Sequence, residues 1–368
     1  MDSEQTDRRM MRRALALATL GRGTAAPNPF VGAVVAWGGT VLGQGFHRLA
    51  GEPHAEAIAL SQIGSRARGA TLYTNLEPCC HTGRTPPCVH EIVLAGVRRV
   101  VASMRDPNPR VDGGGFRYLR RHGIEVEIGL LRREAKELNA AFVKHARRGL
   151  PYVTLKGAVS LDGRIATRCG DSKWITSSTV RRHARLLRAE HDAVLVGIGT
   201  ALADDPRLNR RPKPRASSPF LRAVIDSSLR LSPTSRLVRT ARREPVTVFC
   251  GAEASAARRK KLLSAGVTVE TIGRRGGRLD LEAALFRLAA GGVSQLLVEG
   301  GSEIHGSFLE NGLADRLVLY LAPRIVGGRA ALPFVGGEGP QWIRDAAMLR
   351  SVSCARVGDG WLVDGRLR

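Results

Sequence analysis

Two kinds of hydrophobic pattern alternate along the first part of the chain. Apolar residues recur at helical spacing over residues 6–20, whereas short apolar runs at 30–36 and 41–46 are joined through Gly38 and Gly39, as in two strands connected by a turn. The pattern then predicts a helix near His54, a strand at 70–75, a helix from Cys88, a strand at 99–103, a helix at 116–121 and a strand at 124–128. This alternation indicates an α/β layered domain.

A basic segment with glycine and proline, residues 147–151, interrupts the alternation. Since 368 residues are about twice the length of a typical domain, we predict two domains, 1–147 and 148–368. In the second domain we predict strands at 152–159, 193–196, 223–226, 246–250, 267–271, 295–299 and 316–321, and helices at 178–190, 254–264 and 279–289. This is again an α/β pattern. The residues after Gly328 carry no pattern to which we assign chemistry.

The chain is strongly basic, with 57 Lys and Arg against 33 Asp and Glu and a formal net charge of +24. The basic residues are mostly arginines scattered through both halves, which favours a solvated basic surface, with attraction of phosphorylated small molecules as a second interpretation. No apolar run approaches the roughly 18 residues of a membrane span, and the N-terminus does not resemble a secretion signal. We therefore expect a cytoplasmic protein without a membrane partner.

A cluster of metal-binding residue types lies in the first domain. His54, Cys79 and Cys88 supply one imidazole and two thiolates, a set that suits zinc and leaves a fourth position open for water, as in catalytic zinc sites. His54 and Cys88 both fall at predicted helix starts, where the helix dipole favours a thiolate. Glu56 completes the H-x-E pattern of zinc nucleobase deaminases, in which a carboxylate that does not bind the metal carries the proton.

A structural metal site is the alternative interpretation of this cluster. Cys80 or His81 could supply a fourth ligand, which would close the site and leave Glu56 merely solvated. Alternatively, the two spaced cysteines could be buried core thiols. Six cysteines, three of them packed into residues 79–88, nevertheless suit a reducing compartment and a metal site better than a disulfide scaffold.

The segment at 76–88 resembles the zinc motif of the bifunctional riboflavin-biosynthesis deaminase/reductase family, in which eight residues separate the two cysteines. Residues 27–32 and 106–109 match the same family. The resemblance implies zinc bound by His54, Cys79 and Cys88, with Glu56 as the proton carrier. It also implies that Asn28, His81 and Arg84 contact the pyrimidine or its ribose phosphate. An Asx turn is an equal alternative for Asn28, and Arg84 could pair with a carboxylate instead. Cys80 stands where the family is expected to have serine.

The second domain contains two glycine-rich segments that are candidates for a phosphate-binding loop. Residues 197–202 only partly match G-x-G-x-x-G and lead into Asp204, Asp205 and Pro206 rather than into a helix, so we reject a Rossmann domain. At 298–302 a predicted strand ends in Gly300 and Gly301 at the start of a helical segment, where backbone N–H groups could bind a pyrophosphate. Taken alone, this segment also fits an ordinary strand-to-helix turn.

Residues 156–166, 172–176, 187–189, 199–206 and 319–328 resemble the reductase domain of the same family. The resemblance implies a cytidine-deaminase-like αβα layered domain followed by a dihydrofolate-reductase-like α/β domain that uses NADPH. The implied cofactor contacts are Ala158, Trp174, Thr200, Asp204, Ser227, Gly301, Ser302, Glu303, Ile304, His305, Gly306 and Ser307. The implied substrate contacts are Lys156, Ser172, Arg188, Leu208, Arg211 and Glu299. Without the resemblance, Trp174 would be taken for a core residue and Arg188 for a solvated helix arginine. Asn209 replaces an expected threonine.

The implied chemistry has two steps on one phosphorylated pyrimidine. The 2-amino group of 2,5-diamino-6-(5-phosphoribosylamino)pyrimidin-4(3H)-one leaves as ammonia, and hydride from NADPH then reduces C1′ of the ribose to give the ribityl chain. Asp204 is our candidate proton donor in the second step. The alternatives are a nucleic-acid-editing zinc deaminase with an accessory domain and a non-catalytic zinc protein that binds RNA. The first accounts for the charge and the zinc motif, but not for the long cysteine spacing or the second domain. The second would need aromatic residues interleaved on a basic face, and aromatic residues make up only 5% of the chain. We expect a small-molecule substrate, no nucleic acid, and leave a homo-oligomer open.

Overall fold

The computed structural model describes residues 3–81, 86–109, 111–210 and 220–367. The chain divides into two compact units, Met1–Gly149 and Leu150–Arg368. This division lies two residues beyond the predicted boundary, because a helix continues to Arg148 and ends at Gly149, whose φ of 63° closes it. No helix in the described part of the chain is both long and apolar enough to span a membrane.

The first unit is an αβα layer, as predicted. Its strands are β1 Gly32–Trp37, β2 Thr40–Phe46, β3 Thr71–Thr74, β4 Arg99–Ala102 and β5 Glu125–Ile128. Its helices are α1 Ser3–Ala18, α2 Ala55–Ser61, α3 Cys88–Leu94, α4 Gly114–Arg121, α5 Arg132–Leu138 and α6 Ala140–Arg148. The described strands form one sheet in the order β2-β1-β3-β4-β5, in which β1 is antiparallel to β2 and β3 and the last three strands are parallel.

Helices cover both faces of this sheet, which explains why the sequence of β1 is continuously apolar. Ala33 and Val35 pack into one hydrophobic cluster with residues of α2 and α3, while Val34 and Ala36 pack into another with residues of α1. Successive side chains of a strand point to opposite faces, so a strand covered on both sides carries no polar alternation. Helices α5 and α6 were not predicted from the sequence.

Among its described residues, the second unit contains a larger, mostly parallel main sheet and two small two-stranded sheets. Its strands are β6 Tyr152–Ser160, β7 Arg164–Ala166, β8 Ala193–Gly197, β9 Leu221–Ile225, β10 Val246–Cys250, β11 Thr268–Thr271, β12 Arg274–Arg275, β13 Arg278–Leu279, β14 Gln295–Val298, β15 Arg316–Ala322, β16 Leu332–Pro333, β17 Leu349–Val357 and β18 Gly360–Leu367. Its helices are α7 Ser178–Leu186, α8 Ile198–Asp204, α9 Arg236–Arg239, α10 Ala256–Ser264, α11 Leu281–Ala290 and α12 Ser302–Glu310. The main sheet has the order β11-β10-β9-β8-β14-β6-β15-β18-β17.

The main sheet is parallel from β11 to β15, and β18 and β17 extend it in antiparallel fashion. These two last strands follow Gly328, where the sequence carries no assigned pattern. Helix α8 corrects one expectation: residues 197–202 were predicted to lead into Asp204, Asp205 and Pro206 rather than into a helix, whereas Ile198–Asp204 is helical. Gly197 adopts an extended conformation directly before this seven-residue helix, and Asp205 ends it with a φ of 38°.

Candidate functional site

His54, Cys79 and Cys88 converge in the first unit. His54 directly precedes α2 and Cys88 is the first residue of α3, as predicted, while Cys79 lies in the segment after β3. The Nδ1 atom of His54 lies 3.1 Å from the Cys88 sulfur and 3.4 Å from the Cys79 sulfur, and all three ligand atoms lie within 4.8 Å of one another. One imidazole and two sulfurs at this separation fit a zinc ion with an open coordination position.

The electrostatics of the cluster favour a thiolate. A hydrogen bond from the Cys88 thiol, together with one from His54, lowers the pKa of Cys79 to about 4 despite its burial. The backbone N–H of Cys88 also donates to the Cys79 sulfur at 3.3 Å. Donation to Cys79 and burial raise the pKa of Cys88 in turn. Before any metal binds, the pair therefore shares one negative charge, which is the form of cysteine that ligates metals.

Glu56 lies beside the cluster on the first turn of α2. Its side chain is buried, and its Oε2 lies 3.8 Å from the Cys88 sulfur. Burial raises the pKa of Glu56 to about 7. A carboxyl with a pKa near the working pH can both take up and release a proton. Glu56 is thus placed next to the potential metal ligands without belonging to the cluster of three.

A cavity of about 400 Å³ opens onto this cluster. His54, Glu56 and Cys79 line it together with Asn28 and His81, two residues implied by the family resemblance. Arg84 lies outside the described residues. The cavity wall also contains His47, Asp106 and Asn108. Residues 106–109 matched the family motif without an assigned role, whereas His47 stands in no motif and could not have been found from the sequence.

His47 holds the side chain of Asn28. The Nε2 atom of His47 lies 2.9 Å from the Asn28 amide nitrogen, and its Nδ1 lies 3.3 Å from the carbonyl oxygen of Pro53. An N–H on Nδ1 donates to that carbonyl, so Nε2 accepts from the amide. Burial lowers the pKa of His47, which favours this neutral form. The Asn28 side chain therefore faces a histidine at the cavity wall.

A buried carboxylate anchors the part of the wall that carries Asp106 and Asn108. Glu77 accepts four backbone N–H groups, from Asp106, Gly113, Gly115 and Phe116, at 2.9–3.3 Å. Two of these donors belong to the first turn of α4, where the helix dipole also favours a negative charge. Since Glu77 precedes Cys79 by two residues, the same contacts tie the metal-binding segment to the segment that follows β4 and to the start of α4.

The second unit has a cavity of about 1120 Å³ along the carboxyl ends of its parallel strands, the usual place for ligands in open α/β sheets. Most residues implied by the resemblance line it: Lys156, Ala158, Ser172, Trp174, Thr200, Asp204, Ser227, Glu299, Gly301, Ser302, Glu303, Ile304, His305 and Ser307. Gly306, Arg188 and Leu208 are not in its wall, and Arg211 lies outside the described residues.

The three residues outside the wall are held by contacts within the protein. Leu208 is 4% exposed and packs into a hydrophobic cluster with residues of β8, β9 and β10. Gly306 packs so closely that an added Cβ would lie 2.2 Å from the carbonyl oxygen of Gly336. Arg188 reaches the cavity through Glu299, to which its Nε and Nη2 donate at 2.5 and 2.8 Å.

Glu299 is the centre of a buried charge cluster at the cavity wall. Besides Arg188, the Lys156 ammonium lies 3.8 Å from a Glu299 oxygen. Burial alone would raise the pKa of Glu299, but the two cations outweigh it and lower the pKa to about 2. The carboxylate is therefore charged at neutral pH in spite of its burial.

Gly300 and Gly301 form a turn between β14 and α12. Their φ angles are 158° and 85°, and a Cβ on either residue would lie 3.1–3.2 Å from the Thr200 hydroxyl. Beside them, the Ser302 hydroxyl is buried and has no hydrogen-bond partner among the described residues. Buried polar groups are ordinarily paired, so this hydroxyl at the cavity wall and the adjoining helix N-terminus fit a phosphate-containing ligand.

These features define a two-unit enzyme, with a zinc-type nucleobase deaminase first and a reductase second. Residues 4–104 match the model of the cytidine and deoxycytidylate deaminase zinc-binding region, and residues 151–363 match the RibD C-terminal domain. The match to the zinc-binding region and the His/Cys/Cys group together support zinc as the metal.

Proteins of the same two-domain type match nearly the full chain. Riboflavin biosynthesis protein RibD of Bacillus amyloliquefaciens is 42% identical over 95% of this chain and 93% of its own. RibD of Acinetobacter baumannii has 35% identity and a TM-score of 0.88, and a deaminase/reductase of Thermotoga maritima has 34% identity and a TM-score of 0.84, each covering both chains completely. The chain belongs to the RibD family of bifunctional riboflavin-biosynthesis enzymes.

Proposed function

We propose that the first unit converts 2,5-diamino-6-(5-phosphoribosylamino)pyrimidin-4(3H)-one and water into 5-amino-6-(5-phosphoribosylamino)uracil and ammonia. The second unit then reduces the ribosyl group with NADPH to give 5-amino-6-(5-phosphoribitylamino)uracil. The observation that carries the proposal is the buried Glu56 next to the converging His54, Cys79 and Cys88 on a cavity wall. The relative from Thermotoga maritima is a diaminohydroxyphosphoribosylaminopyrimidine deaminase/5-amino-6-(5-phosphoribosylamino)uracil reductase, which supports both reactions.

In the deaminase, His54, Cys79 and Cys88 would hold zinc, which lowers the pKa of a bound water and so provides a nucleophile at neutral pH. Glu56 accepts the proton of this water and delivers it to the departing amino group. The raised pKa of Glu56 supports this role, because the carboxyl has to gain and lose a proton at neutral pH. Asn28, held by His47, orients the pyrimidine.

In the reductase, NADPH would supply the hydride that reduces C1′. The turn at Gly300 and Gly301 would hold its pyrophosphate, because backbone N–H groups and the Ser302 hydroxyl are available there to donate. Lys156 and Glu299 contact the ribose phosphate end of the substrate, and Asp204, exposed on the wall, donates the proton that the opening ring oxygen needs. Positioning by these groups supplies most of the catalysis, because the cofactor carries the reactive hydride.

The nucleic-acid-editing and RNA-binding alternatives are not favoured. The relatives and the two domain matches extend over both units, whereas either alternative leaves the second unit without a role. A reductase-type cavity and a deaminase-type cluster in one chain support two consecutive reactions on a small molecule.

The test follows ammonia release and NADPH absorbance together after the diaminopyrimidine substrate is added to the purified zinc-loaded chain. Ammonia followed by NADPH oxidation is expected. Glu56→Gln should lower ammonia release by a factor of about 10² or more, while its zinc content and its oxidation of NADPH with the deaminated substrate stay at the wild-type level. Glu52→Gln, which removes a carboxylate nearby that pairs with Arg48, is the matched control. Full ammonia release by Glu56→Gln would contradict the proposal.

A further inference from the structure

One cation in the wall of the reductase cavity has no role in the scheme above. Arg230 lies in the turn after β9, close in sequence to Ser227, and both residues line the cavity. Asp226 holds this turn, since its carboxylate accepts the backbone N–H of Leu231 at 2.8 Å. Leu229 closes the turn with a φ of 56° and a backbone hydrogen bond to Asp226 at 3.2 Å. The base of the Arg230 side chain is thus fixed.

The basic residues of the cavity wall differ in whether they have protein partners. The paired ones are Lys156 at Glu299, Arg181 stacked over Trp174, Arg274 at Glu253, and Arg278 at Glu303 and Glu310. Arg230 is exposed, and within the described ranges no carboxylate, carbonyl or aromatic ring engages its guanidinium. An unengaged guanidinium on a cavity wall is available to an anionic ligand.

Further positive charge gathers at the same turn. A second cavity of about 270 Å³ is lined by Arg230 together with Arg258 and Lys261 of α10, and the guanidinium of Arg258 donates to the carbonyl oxygen of Ser228 at 3.2 Å. The described residues that line this second cavity include no aspartate or glutamate. Three cations without a carboxylate among them create a local positive potential.

The order of the strands indicates which part of a dinucleotide would meet this turn. Along the sheet, β6, β14, β8 and β9 are neighbours. Lys156 belongs to β6, the glycine turn follows β14, Thr200 follows β8, and Ser227 and Arg230 follow β9. At a strand spacing of about 4.8 Å, β9 lies roughly 14 Å from β6. A cofactor with its pyrophosphate at the glycine turn after β14 would therefore extend its adenosine ribose towards β9, two strands along the sheet.

We propose that Arg230 binds the 2′-phosphate of NADPH, with Arg258 and Lys261 adding positive potential, and that it makes the reductase prefer NADPH to NADH. The inference rests on the proposed reductase function. A guanidinium can bind a phosphate through two parallel charge-assisted hydrogen bonds, and an arginine near the adenosine ribose is a known way for dinucleotide-binding proteins to accommodate this phosphate. NADH lacks the group, so the loss of Arg230 should affect NADPH alone.

The test compares Arg230→Gln and Arg230→Lys in the full-length zinc-loaded chain, with the deaminated substrate supplied directly. For Arg230→Gln, kcat/KM with NADPH should fall roughly 10- to 100-fold, mainly through KM, because a charge-assisted pair is lost. The value with NADH should stay within about twofold, and Arg230→Lys should recover part of the NADPH preference. Arg274→Gln is the control, since it removes the same charge from a wall arginine that is already paired with Glu253.

A second measurement does not depend on turnover. In isothermal titration calorimetry, adenosine 2′,5′-bisphosphate should bind the wild-type protein more tightly than adenosine 5′-monophosphate does, and Arg230→Gln should remove the difference. An unchanged NADPH to NADH ratio in Arg230→Gln, or an equal change in Arg274→Gln, would overturn the role of Arg230. A wild-type enzyme that uses both cofactors equally would also overturn it while leaving the reductase function intact. Oxidation of neither cofactor would overturn the reductase proposal itself, and this inference with it.

Discussion

The buried charge cluster around Glu299 permits a quantitative test of the second unit. Glu299→Gln keeps the shape of the side chain but removes the charge that Arg188 and Lys156 face at 2.5 and 3.8 Å. A carboxyl whose pKa falls from 4.5 to about 2 on folding stabilises the folded form at neutral pH by about 3 kcal/mol. The loss of one partner from a buried ion pair costs a similar amount, about 3–5 kcal/mol. Two independent arguments thus give the same order of magnitude.

The dependence on pH has a definite sign. Because the pKa of Glu299 is depressed in the folded protein, its contribution is present above the ordinary carboxyl pKa of 4.5 and is lost as the pH falls towards 2. At pH 3 about 2 kcal/mol of the 3 kcal/mol should be gone. The difference in unfolding free energy between wild type and Glu299→Gln should therefore shrink to about 1 kcal/mol at that pH.

Equilibrium urea unfolding followed by tryptophan fluorescence measures this difference. In a Trp37→Phe background the remaining tryptophans, Trp174, Trp342 and Trp361, all belong to the second unit, so the signal reports that unit alone. Glu303→Gln is the control, because this carboxylate is 72% exposed and pairs only loosely with Arg278, and exposed pairs contribute little. A loss below about 1 kcal/mol at pH 7, or a loss of the same size at pH 7 and pH 3, would refute the reasoning.

Two further substitutions test the walls of the two cavities. Glu77→Gln should destabilise the first unit by about 2–3 kcal/mol in urea unfolding and lower ammonia release, because an amide oxygen cannot replace both carboxylate oxygens as acceptors of four backbone N–H groups; unchanged stability would contradict this. Gly157→Ala should reduce NADPH oxidation at least about tenfold while ammonia release stays unchanged, since the new Cβ would lie 2.3 Å from the ring of Phe334 on the cavity wall; normal NADPH kinetics would count against it.

The metal-binding cluster could be predicted from the sequence because its information is local. His54 and Cys88 each stand at a helix start that the surrounding residues predict, and each belongs to a short sequence motif. The fold then brings their ligand atoms to within 4.8 Å of the Cys79 sulfur. His47 carries no such signal, since its role depends on contacts with Asn28 and Pro53 that only the folded chain creates.

The missed elements share a different cause. Helices α5 and α6 are rich in charge and contain one fully buried apolar side chain, Ala135, among their described residues, so hydrophobic periodicity does not reveal them. Strand β17 exposes most of its side chains, whereas those of β18 are mostly half-buried. Strand β18 pairs with β15 at the sheet edge, and β17 pairs with β18. In helix α8, the Asp-Pro signal at its end concealed that the preceding residues are helical. Strand pairing in the folded chain and the short length of the helices therefore outweigh the local hydrophobic pattern in these segments.

Arg188 shows how far a family resemblance reaches at a single position. The resemblance implies a substrate contact, yet a guanidinium has five N–H groups, and three of its donor nitrogens are engaged, two by Glu299 and one by the carbonyl oxygen of Asn209 at 3.2 Å. Glu299, in contrast, is on the cavity wall. We therefore expect Arg188 to keep Glu299 charged and oriented, and the substrate contact that the resemblance implies for Arg188 stays a prediction. A motif identifies which residues matter to a site, but the hydrogen-bond partners decide whether a residue touches the ligand or positions the one that does.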